Sequence, residues 1–366
     1  MDDHEPPAVT RSAPIVGELR RPFGREILSP AHSIRVRVIG GVVRPAEMRV
    51  IAAILIAQFP STANSLPLRA EQLETLATGE HQAVVNDVRL WYRVAGPPGG
   101  TPVVFLHGGP GQGSQSFAQI AGPAFERSHR MVYLDQRGSG RSERLWNFAY
   151  SIDLLVEDLE GLRRAWGVEK IALIGHSVGT ILAMEYAAKY PEHVDRMVLA
   201  AAGPDLLDAF NRMCDRVAAS DSATFKRARA ALEPGSRRRC NMWGKGVFGP
   251  GGMQRFVNGN MFPTPETEKL INESDQARGM RNTGELANTL IKQGLLEYRF
   301  ARPERLTMPV LVIAGRRDFQ AAIEPQRALV AHLSNGRVSE WNCAGHFMWA
   351  ENPERFAREA NAFLVR

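Results

Sequence analysis

Short apolar runs alternate with amphipathic helical patterns along most of this chain, and that alternation constrains the fold more than any other feature. Short apolar runs of this kind are typical of strands that are buried on both faces. Between them, stretches such as 151–166 place apolar residues on one helical face, with Ser151 as the predicted N-cap. The pattern predicts an α/β fold, with a mostly parallel central sheet and helices on both faces. The predicted strands lie at 103–106, 131–134, 171–174, 197–200, 310–314 and, more weakly, 337–341.

A hairpin is predicted before the first of these strands. Residues 84–94 are rich in β-branched and aromatic side chains, and the run is interrupted at Asn86 and Asp87. Both residue types favour a tight turn. In a parallel sheet, functional groups collect at the C-terminal ends of the strands, so the loops that follow the predicted strands are the place to look for chemistry.

Composition excludes several classes of protein. The chain has 366 residues, 44% of them hydrophobic and 23% charged, which is ordinary for a globular protein. No segment approaches the ~20 apolar residues of a membrane-spanning helix, so we expect no integral membrane segment. The net charge of +6 is spread along the chain. The one dense basic run, at 237–239, is interpreted as solvated surface, so no nucleic-acid partner is expected.

Three cysteines are too few for a disulfide scaffold or a four-cysteine zinc site. The sequence shows no histidine–carboxylate cluster, and the glycines at 138 and 140 lack the lysine of a phosphate-binding loop. We therefore expect neither a metal nor an organic cofactor. If the protein is exported, a Cys214–Cys240 bridge becomes possible, because disulfides persist in oxidising compartments. The sequence alone does not show that this bridge forms.

A leader is predicted over residues 1–65. Residues 1–47 show no sustained period, but from Met48 a basic residue is followed by the apolar run 50–57 and by small residues up to Ser65. This order is typical of a secretory signal peptide. We therefore expect translation to start at Met48, residues 1–47 to be an artefact of start assignment, and the protein to be periplasmic or secreted. The alternative is a short strand pair packed on the body of a cytoplasmic protein.

A nucleophile is predicted directly after the strand at 171–174. The sequence there is Gly175-His176-Ser177-Val178-Gly179, a G-x-S-x-G pattern that leads into a helix. In this strand–turn–helix setting the pattern indicates a nucleophile elbow, in which a tight turn exposes the serine hydroxyl above the sheet. Ser177 is therefore the predicted nucleophile.

A serine needs a base, and the base needs an acid to orient it. Among the nine histidines, His346 follows the last predicted strand and precedes the final helix. Asp318 follows the strand at 310–314. The order Ser177, Asp318, His346 is the one used by α/β-hydrolases. Asp318 as a turn carboxylate and His346 as a loop histidine are the alternatives, but three ordered residues at three strand ends favour a triad.

An oxyanion hole requires two backbone N–H groups that point at the developing negative charge. Val178, the residue after the nucleophile, is predicted to supply one. The loop after the strand at 103–106 is glycine-rich, and Gly109 is assigned as the second donor, with Gly108 as the nearest competitor. His107 is expected to brace this loop rather than to act as a base.

Two longer motifs carry a family resemblance. Residues 80–366 resemble the α/β-hydrolase superfamily. The motifs at 107–111 (HGGPG) and 135–142 (DQRGSGRS) are similar to those of the prolyl aminopeptidase, or proline iminopeptidase, group. The resemblance implies Ser177 as nucleophile, Asp318 as acid and His346 as base, with HGGPG as the oxyanion loop. It also implies that DQRGSGRS is largely architectural.

The chain departs from that group at several positions. His176 and Val178 stand where the group usually has glycine and tryptophan. The insert between the strands at 197–200 and 310–314 contains Trp243 but no Trp-x-x-Trp-Glu pattern, which in the group helps to hold a free amine. Its methionine and aromatic side chains are interpreted as a mixture of lid core and apolar pocket. We expect a core of residues 66–202 and 304–366 and a mainly helical cap of residues 203–303.

These observations predict a serine hydrolase that cleaves an ester or amide bond of a small, largely apolar acyl substrate. A prolyl aminopeptidase that acts on short peptides is the alternative. A non-catalytic ligand receptor on the same fold is a more remote one. The sequence does not decide substrate identity or oligomeric state.

Overall fold

The computed structural model describes residues 76–276 and 284–365, and the predicted leader lies outside them. Strands β1 to β8 form one sheet in the order β1-β2-β4-β3-β5-β6-β7-β8. The β1–β2 and β2–β4 pairs are antiparallel, and the other pairs are parallel, which confirms the prediction of a mostly parallel sheet. The strands are β1 Gly79–Val85, β2 Val88–Ala95, β3 Val103–Leu106, β4 Met131–Asp135, β5 Ile171–His176, β6 Val194–Ala200, β7 Val310–Gly315 and β8 Gly336–Trp341.

Helices cover both faces of this sheet, because alternate residues of each strand point to opposite sides. On one face, Val104 and Leu106 of β3 share a core cluster with residues of α3, Ile152–Ala165, and α4, Val178–Lys189. On the other face, Val103 and Phe105 pack with residues of α1, Gln115–Ile120, and α12, Pro353–Leu364. Outside the segment between β6 and β7, the helices are α1 Gln115–Ile120, α2 Gly122–Phe125, α3 Ile152–Ala165, α4 Val178–Lys189, α10 Ile323–Ala331, α11 Met348–Glu351 and α12 Pro353–Leu364.

Local sequence signals account for several of these elements. Asn86 and Asp87 have φ values of 48° and 60° and connect β1 to β2, so the predicted hairpin is confirmed. Ser151 caps α3, since its side chain accepts a hydrogen bond of 3.1 Å from the backbone N–H of Leu154. Both features follow from short side chains that stabilise a turn or a helix end.

The segment between β6 and β7 contains helices, as predicted for an inserted cap. We use the name cap segment for residues 203–303. Its two ends meet at an antiparallel bridge between Asp205 and Arg299, which is reinforced by an ion pair of 2.7 Å. A disulfide joins Cys214 to Cys240 within the segment. Its described helices are α5 Leu206–Ser220, α6 Ser222–Ala230, α7 Gly252–Met261, α8 Pro265–Gln276 and α9 Glu285–Lys292.

Within residues 76–276 and 284–365, no helix combines the length and the apolar character needed to cross a membrane. The same residues contain no group of three or more His, Cys, Asp or Glu side chains that could hold a metal ion.

Candidate active site

Ser177 lies in the sharp turn between β5 and α4, with φ 54° and ψ −122°, a backbone conformation that non-glycine residues rarely adopt. The turn depends on small neighbours. A β-carbon on Gly175 would lie 2.9 Å from the carbonyl oxygen of Gly179, and one on Gly179 would overlap the carbonyl oxygen of Leu106. The two glycines of the pattern therefore permit the close strand–helix packing that exposes the serine hydroxyl.

The structure brings the three predicted triad residues together. His346 Nε2 lies 2.9 Å from Ser177 Oγ, and His346 Nδ1 lies 2.9 Å from Asp318 Oδ2. Asp318 and His346 are 2% and 3% exposed. The three side chains follow the C-terminal ends of β5, β7 and β8, which lie at the same edge of the parallel part of the sheet, with β6 between β5 and β7. The arrangement can pass a proton from the serine hydroxyl to an oriented imidazole.

The environment of Asp318 keeps it ionised. Burial alone would raise the pKa of Asp318, but the attraction of His346 and the hydrogen bonds that it accepts hold the pKa below its usual value. Two of these bonds come from the backbone N–H groups of Gln320 and Ala321, at 2.9 and 3.0 Å to Oδ1. An ionised carboxylate fixes the Nδ1–H tautomer of His346 and leaves Nε2 free to accept a proton.

The glycine-rich loop after β3 lies beside the nucleophile. Gly109, Pro110 and Val178 line the same cavity as Ser177. A β-carbon on Gly108 would lie 2.9 Å from the β-carbon of Ser177, so the backbone approaches the serine as closely as an oxyanion loop requires. The position of the loop is compatible with the predicted donors, Gly109 and Val178, and leaves Gly108 as the competitor of Gly109.

His107 braces this loop, as the sequence predicts. Its Nε2 accepts a hydrogen bond of 3.1 Å from the backbone N–H of Gln136. Its Nδ1 lies 2.9 Å from the carbonyl oxygen of Gly108 and donates to it. Burial lowers the pKa of His107 from its ordinary value, so the ring is neutral and uses one nitrogen as donor and the other as acceptor.

The motif at 135–142 holds neighbouring loops together. Asp135 accepts hydrogen bonds of 2.7 Å from both the backbone N–H and the hydroxyl of Ser114, and it forms an ion pair of 2.8 Å with Arg141. Arg137 forms a buried ion pair of 2.5 Å with Asp158 on α3. Neither arginine is among the residues that line the Ser177 cavity, so the architectural interpretation of this motif agrees with the structure.

The cavity above Ser177 is small and mainly apolar. Its volume is about 190 Å³, and the polar side chains among its lining residues are those of Ser177, His346 and Gln320. Phe210 and Trp243 meet edge to face at 4.9 Å between ring centroids and form part of its wall. The lining from the cap segment is Gly203, Leu206, Phe210, Trp243, Met261, Ile291, Leu295 and Leu296.

The comparison with family models identifies this architecture. A model described as alpha/beta hydrolase fold matches residues 101–353.

The chain belongs to the α/β-hydrolase fold family.

Curated relatives of this α/β-hydrolase include two proline iminopeptidases. The chain is 36% identical to that of Pestalotiopsis fici over 122 residues, which are 33% of this chain and 43% of the relative. It is 41% identical to that of Xylella fastidiosa (strain 9a5c) over 118 residues, 32% of this chain and 37% of the relative. The chain therefore matches less than half the length of these relatives.

Among solved structures, a proline iminopeptidase-related protein from Thermus thermophilus is 25% identical, with a TM-score of 0.62. The match covers 78% of this chain and 96% of that protein. Together with the curated relatives, it confirms the predicted resemblance of this α/β-hydrolase to the prolyl aminopeptidase group.

One acidic residue near the site could not be selected from the sequence. Asp275, on α8 of the cap segment, accepts a hydrogen bond of 3.2 Å from Gln112, which follows the HGGPG motif in the glycine-rich loop after β3. Burial raises the pKa of Asp275 to about 6, although hydrogen bonds from Gln112 and Ser116 oppose that rise. In the sequence Asp275 is one of several similar acids in the cap segment, and no local pattern separates it from solvated charges.

Proposed function

We propose that this α/β-hydrolase is a serine hydrolase that cleaves an ester or amide bond of a small, largely apolar acyl substrate. The observation that carries the proposal is the hydrogen-bonded series Ser177–His346–Asp318 at the base of an apolar cavity. Nucleophile, base and orienting acid are in mutual contact, which is the geometric requirement for acyl transfer to serine.

Acylation would begin when the substrate carbonyl lies above Ser177. His346 Nε2 removes the hydroxyl proton as Ser177 Oγ attacks the carbonyl carbon, and Asp318 stabilises the resulting imidazolium. The backbone N–H groups of Gly109 and Val178 donate to the oxyanion of the tetrahedral intermediate. His346 then transfers its proton to the leaving alcohol or amine, and an acyl-enzyme remains.

Deacylation would repeat these steps with water. His346 Nε2 takes a proton from a water molecule, the hydroxide attacks the acyl carbon, and the same N–H groups stabilise the second oxyanion. The returning proton restores the Ser177 hydroxyl and releases the acid. Every proton movement uses His346, so the proposed cycle needs no further titrating group.

The cavity supports a small apolar acyl group. Its volume of about 190 Å³ lies below the ~300–1,000 Å³ of cavities that hold drug-sized ligands. Among the described residues that line it, none carries a carboxylate that could pair with a free α-amine. The departures at His176, Val178 and the cap segment agree with a substrate that needs no such amine.

The second candidate, a prolyl aminopeptidase, is favoured by the curated relatives, which are named proline iminopeptidases. That activity would require an anionic group near the acyl cavity to hold the substrate's N-terminus. Asp275 is the carboxylate of the cap segment that we would test for this role, because it is bonded to Gln112 beside the oxyanion loop.

The two candidates are separated by three substrates: a proline arylamide with a free amine, its N-acetyl form and a short-chain aryl ester. The proposal predicts ester cleavage with no advantage for the free amine, and loss of turnover in Ser177→Ala. Cleavage of the free-amine substrate alone would establish the aminopeptidase instead. Absence of turnover across a broad ester and amide panel would contradict both and favour a non-catalytic receptor.

We also propose that the protein is exported. The signal-like sequence after Met48 supports this, and so does the Cys214–Cys240 disulfide, because disulfides persist in oxidising compartments. N-terminal sequencing of the native protein is expected to begin at Leu66 or a neighbouring residue. An N-terminus at Met1 in cytoplasmic protein would contradict the proposal.

A further inference from the structure

Two neighbouring cavities share one side chain, that of Leu295. The active-site cavity above Ser177 includes Leu295 in its wall. A second cavity of about 350 Å³, which we call the side groove, includes it as well. The side groove lies between the start of α3, at Ile152, and the end of the cap segment, at Leu290 and Tyr298. Leu295 is the lining residue common to both cavities.

The backbone and the core packing around Leu295 fix its side chain between the active-site cavity and the side groove. It begins a 3-10 turn, Leu295–Glu297, directly after Gly294, whose φ of 96° turns the chain there. Its side chain is 6% exposed and belongs to the main core cluster. The adjacent Leu296 lines the active-site cavity but not the side groove, whereas Leu290 lines the side groove but not the active-site cavity.

The polar groups of the side groove are largely satisfied within the protein. The hydroxyl of Tyr298 donates to Glu185 at 2.7 Å, and the amide of Gln293 donates to the backbone carbonyl of Tyr150 at 2.9 Å. Ser151 is occupied as the N-cap of α3. The remaining walls include the apolar side chains of Ile152 and Leu290 and the exposed carboxylate of Asp153 at the start of α3. An apolar chain could therefore lie in the groove without breaking the hydrogen bonds of Tyr298, Gln293 and Ser151.

We propose that Leu295 is a specificity-determining residue that ends the acyl-binding cavity and keeps the distal part of a longer acyl chain out of the side groove behind it. This inference rests on the proposed hydrolase function. With leucine in place, the wild-type protein accepts acyl groups that fit the active-site cavity alone. Shortening this side chain joins the two cavities, and each further methylene group that becomes buried improves kcat/KM about fourfold.

The test compares kcat/KM for a series of p-nitrophenyl esters from acetate to decanoate. The variants are Leu295→Ala and the matched control Leu290→Ala, which removes the same atoms from the side groove and leaves the wall of the active-site cavity intact. Leu295→Val is included because Leu295→Ala empties a buried site and can destabilise the chain. Melting temperatures show which variants are folded.

Wild-type protein is expected to prefer short esters. Leu295→Ala should move the optimum to longer chains and raise the ratio of decanoate to acetate kcat/KM at least about tenfold, with Leu295→Val shifted in the same direction. Leu290→Ala keeps Leu295 as the end of the cavity and should change that ratio less than about threefold. Equal shifts in the two alanine variants, or no shift in folded Leu295→Ala or Leu295→Val, would overturn the inference. Absence of ester cleavage by the wild type would instead contradict the proposed function.

Discussion

The imidazole of His176 hydrogen-bonds the backbone carbonyl of His346, with 2.9 Å between Nε2 and the carbonyl oxygen. The residue that precedes the nucleophile thus supports the backbone of the predicted base. Burial, together with repulsion from His346, lowers the pKa of His176 to about 3. The ring is therefore neutral at physiological pH, and its Nε2–H is the donor.

His176→Phe should lower kcat for ester cleavage about fivefold with little change in KM. The variant keeps an aromatic ring but removes the donor, and one hydrogen bond is worth about 1 kcal/mol. Steady-state kinetics on a short aryl ester provide the measurement. His176→Gln retains an N–H donor and should recover most of the activity. If the two variants lose activity equally, this hydrogen bond does not position His346.

Asp318→Asn should reduce kcat about 10⁴-fold while the fold is retained. The asparagine amide is neutral, so it no longer holds the imidazole of His346 in the Nδ1–H tautomer. It also supplies no negative charge to stabilise the imidazolium that forms during the reaction. Single-turnover kinetics measure the loss. Asp87→Asn changes an exposed acid in the β1–β2 turn and serves as the control with activity close to the wild type. Activity of Asp318→Asn within about tenfold of wild type would exclude Asp318 as the orienting acid.

Gly179→Ala should destabilise the protein by about 1–3 kcal/mol and abolish activity, because its methyl group would overlap the carbonyl oxygen of Leu106. The matched control is Gly259→Ala in α7, where a β-carbon meets no atom within 4 Å. There the substitution should raise the free energy of unfolding by about 0.5–1 kcal/mol, because alanine has a higher helix propensity than glycine. Urea unfolding followed by circular dichroism measures both changes. A stable, active Gly179→Ala variant would contradict the packing described for the turn.

Asp275→Asn should stabilise the protein at pH 7.5, and the gain should disappear below pH 4. The pKa of Asp275 is about 6 in the folded state and about 3.9 unfolded. Between about pH 3.9 and pH 6 the carboxyl group of Asp275 is protonated in the folded state and ionised in the unfolded state. The free energy of unfolding of the wild type therefore falls as the pH rises through this range, and it stays lower at higher pH. The amide never ionises and escapes this loss, which is at most about 3 kcal/mol.

Thermal unfolding at a series of pH values tests this prediction for Asp275. Glu273→Gln, in the same helix, is the control, since its side chain is 64% exposed and its substitution should leave the pH dependence unchanged. A constant difference between Asp275→Asn and wild type from pH 4 to 7.5 would show that Asp275 does not titrate in this range.

The core of the fold could be predicted because each local sequence pattern in it has one main physical explanation. Strands buried on both faces are short apolar runs, so β3 is found at the predicted residues and the other parallel strands differ only at their ends. The hairpin prediction missed most of β1, which begins at Gly79 rather than at Val84. The turn at Ser177 depends on glycines two positions before and after it, and the parallel strands then bring Asp318 and His346 to the same edge of the sheet. The weakest strand candidate, 337–341, is the edge strand β8, which is only partly buried and therefore has a mixed pattern.

The cap segment could not be predicted in the same detail. Trp243 and Met261 line the active-site cavity, but Phe256 and Phe300, which have similar sequence surroundings, do not. Which face of a cap helix looks toward Ser177 depends on how the helices pack, and helical periodicity does not record that orientation. Leu295 and Asp275 are further examples, since their roles arise from neighbours that are distant in sequence.

The most direct test of the central claim, that Ser177 is the nucleophile of a working triad, is labelling with a fluorophosphonate followed by peptide mapping. The serine oxygen forms a bond to phosphorus and fluoride leaves, so the adduct marks the activated hydroxyl. We predict a single adduct on the peptide that contains Ser177, none in Ser177→Ala, and much slower labelling in His346→Ala. An adduct on another residue, or unchanged labelling in Ser177→Ala, would contradict the account.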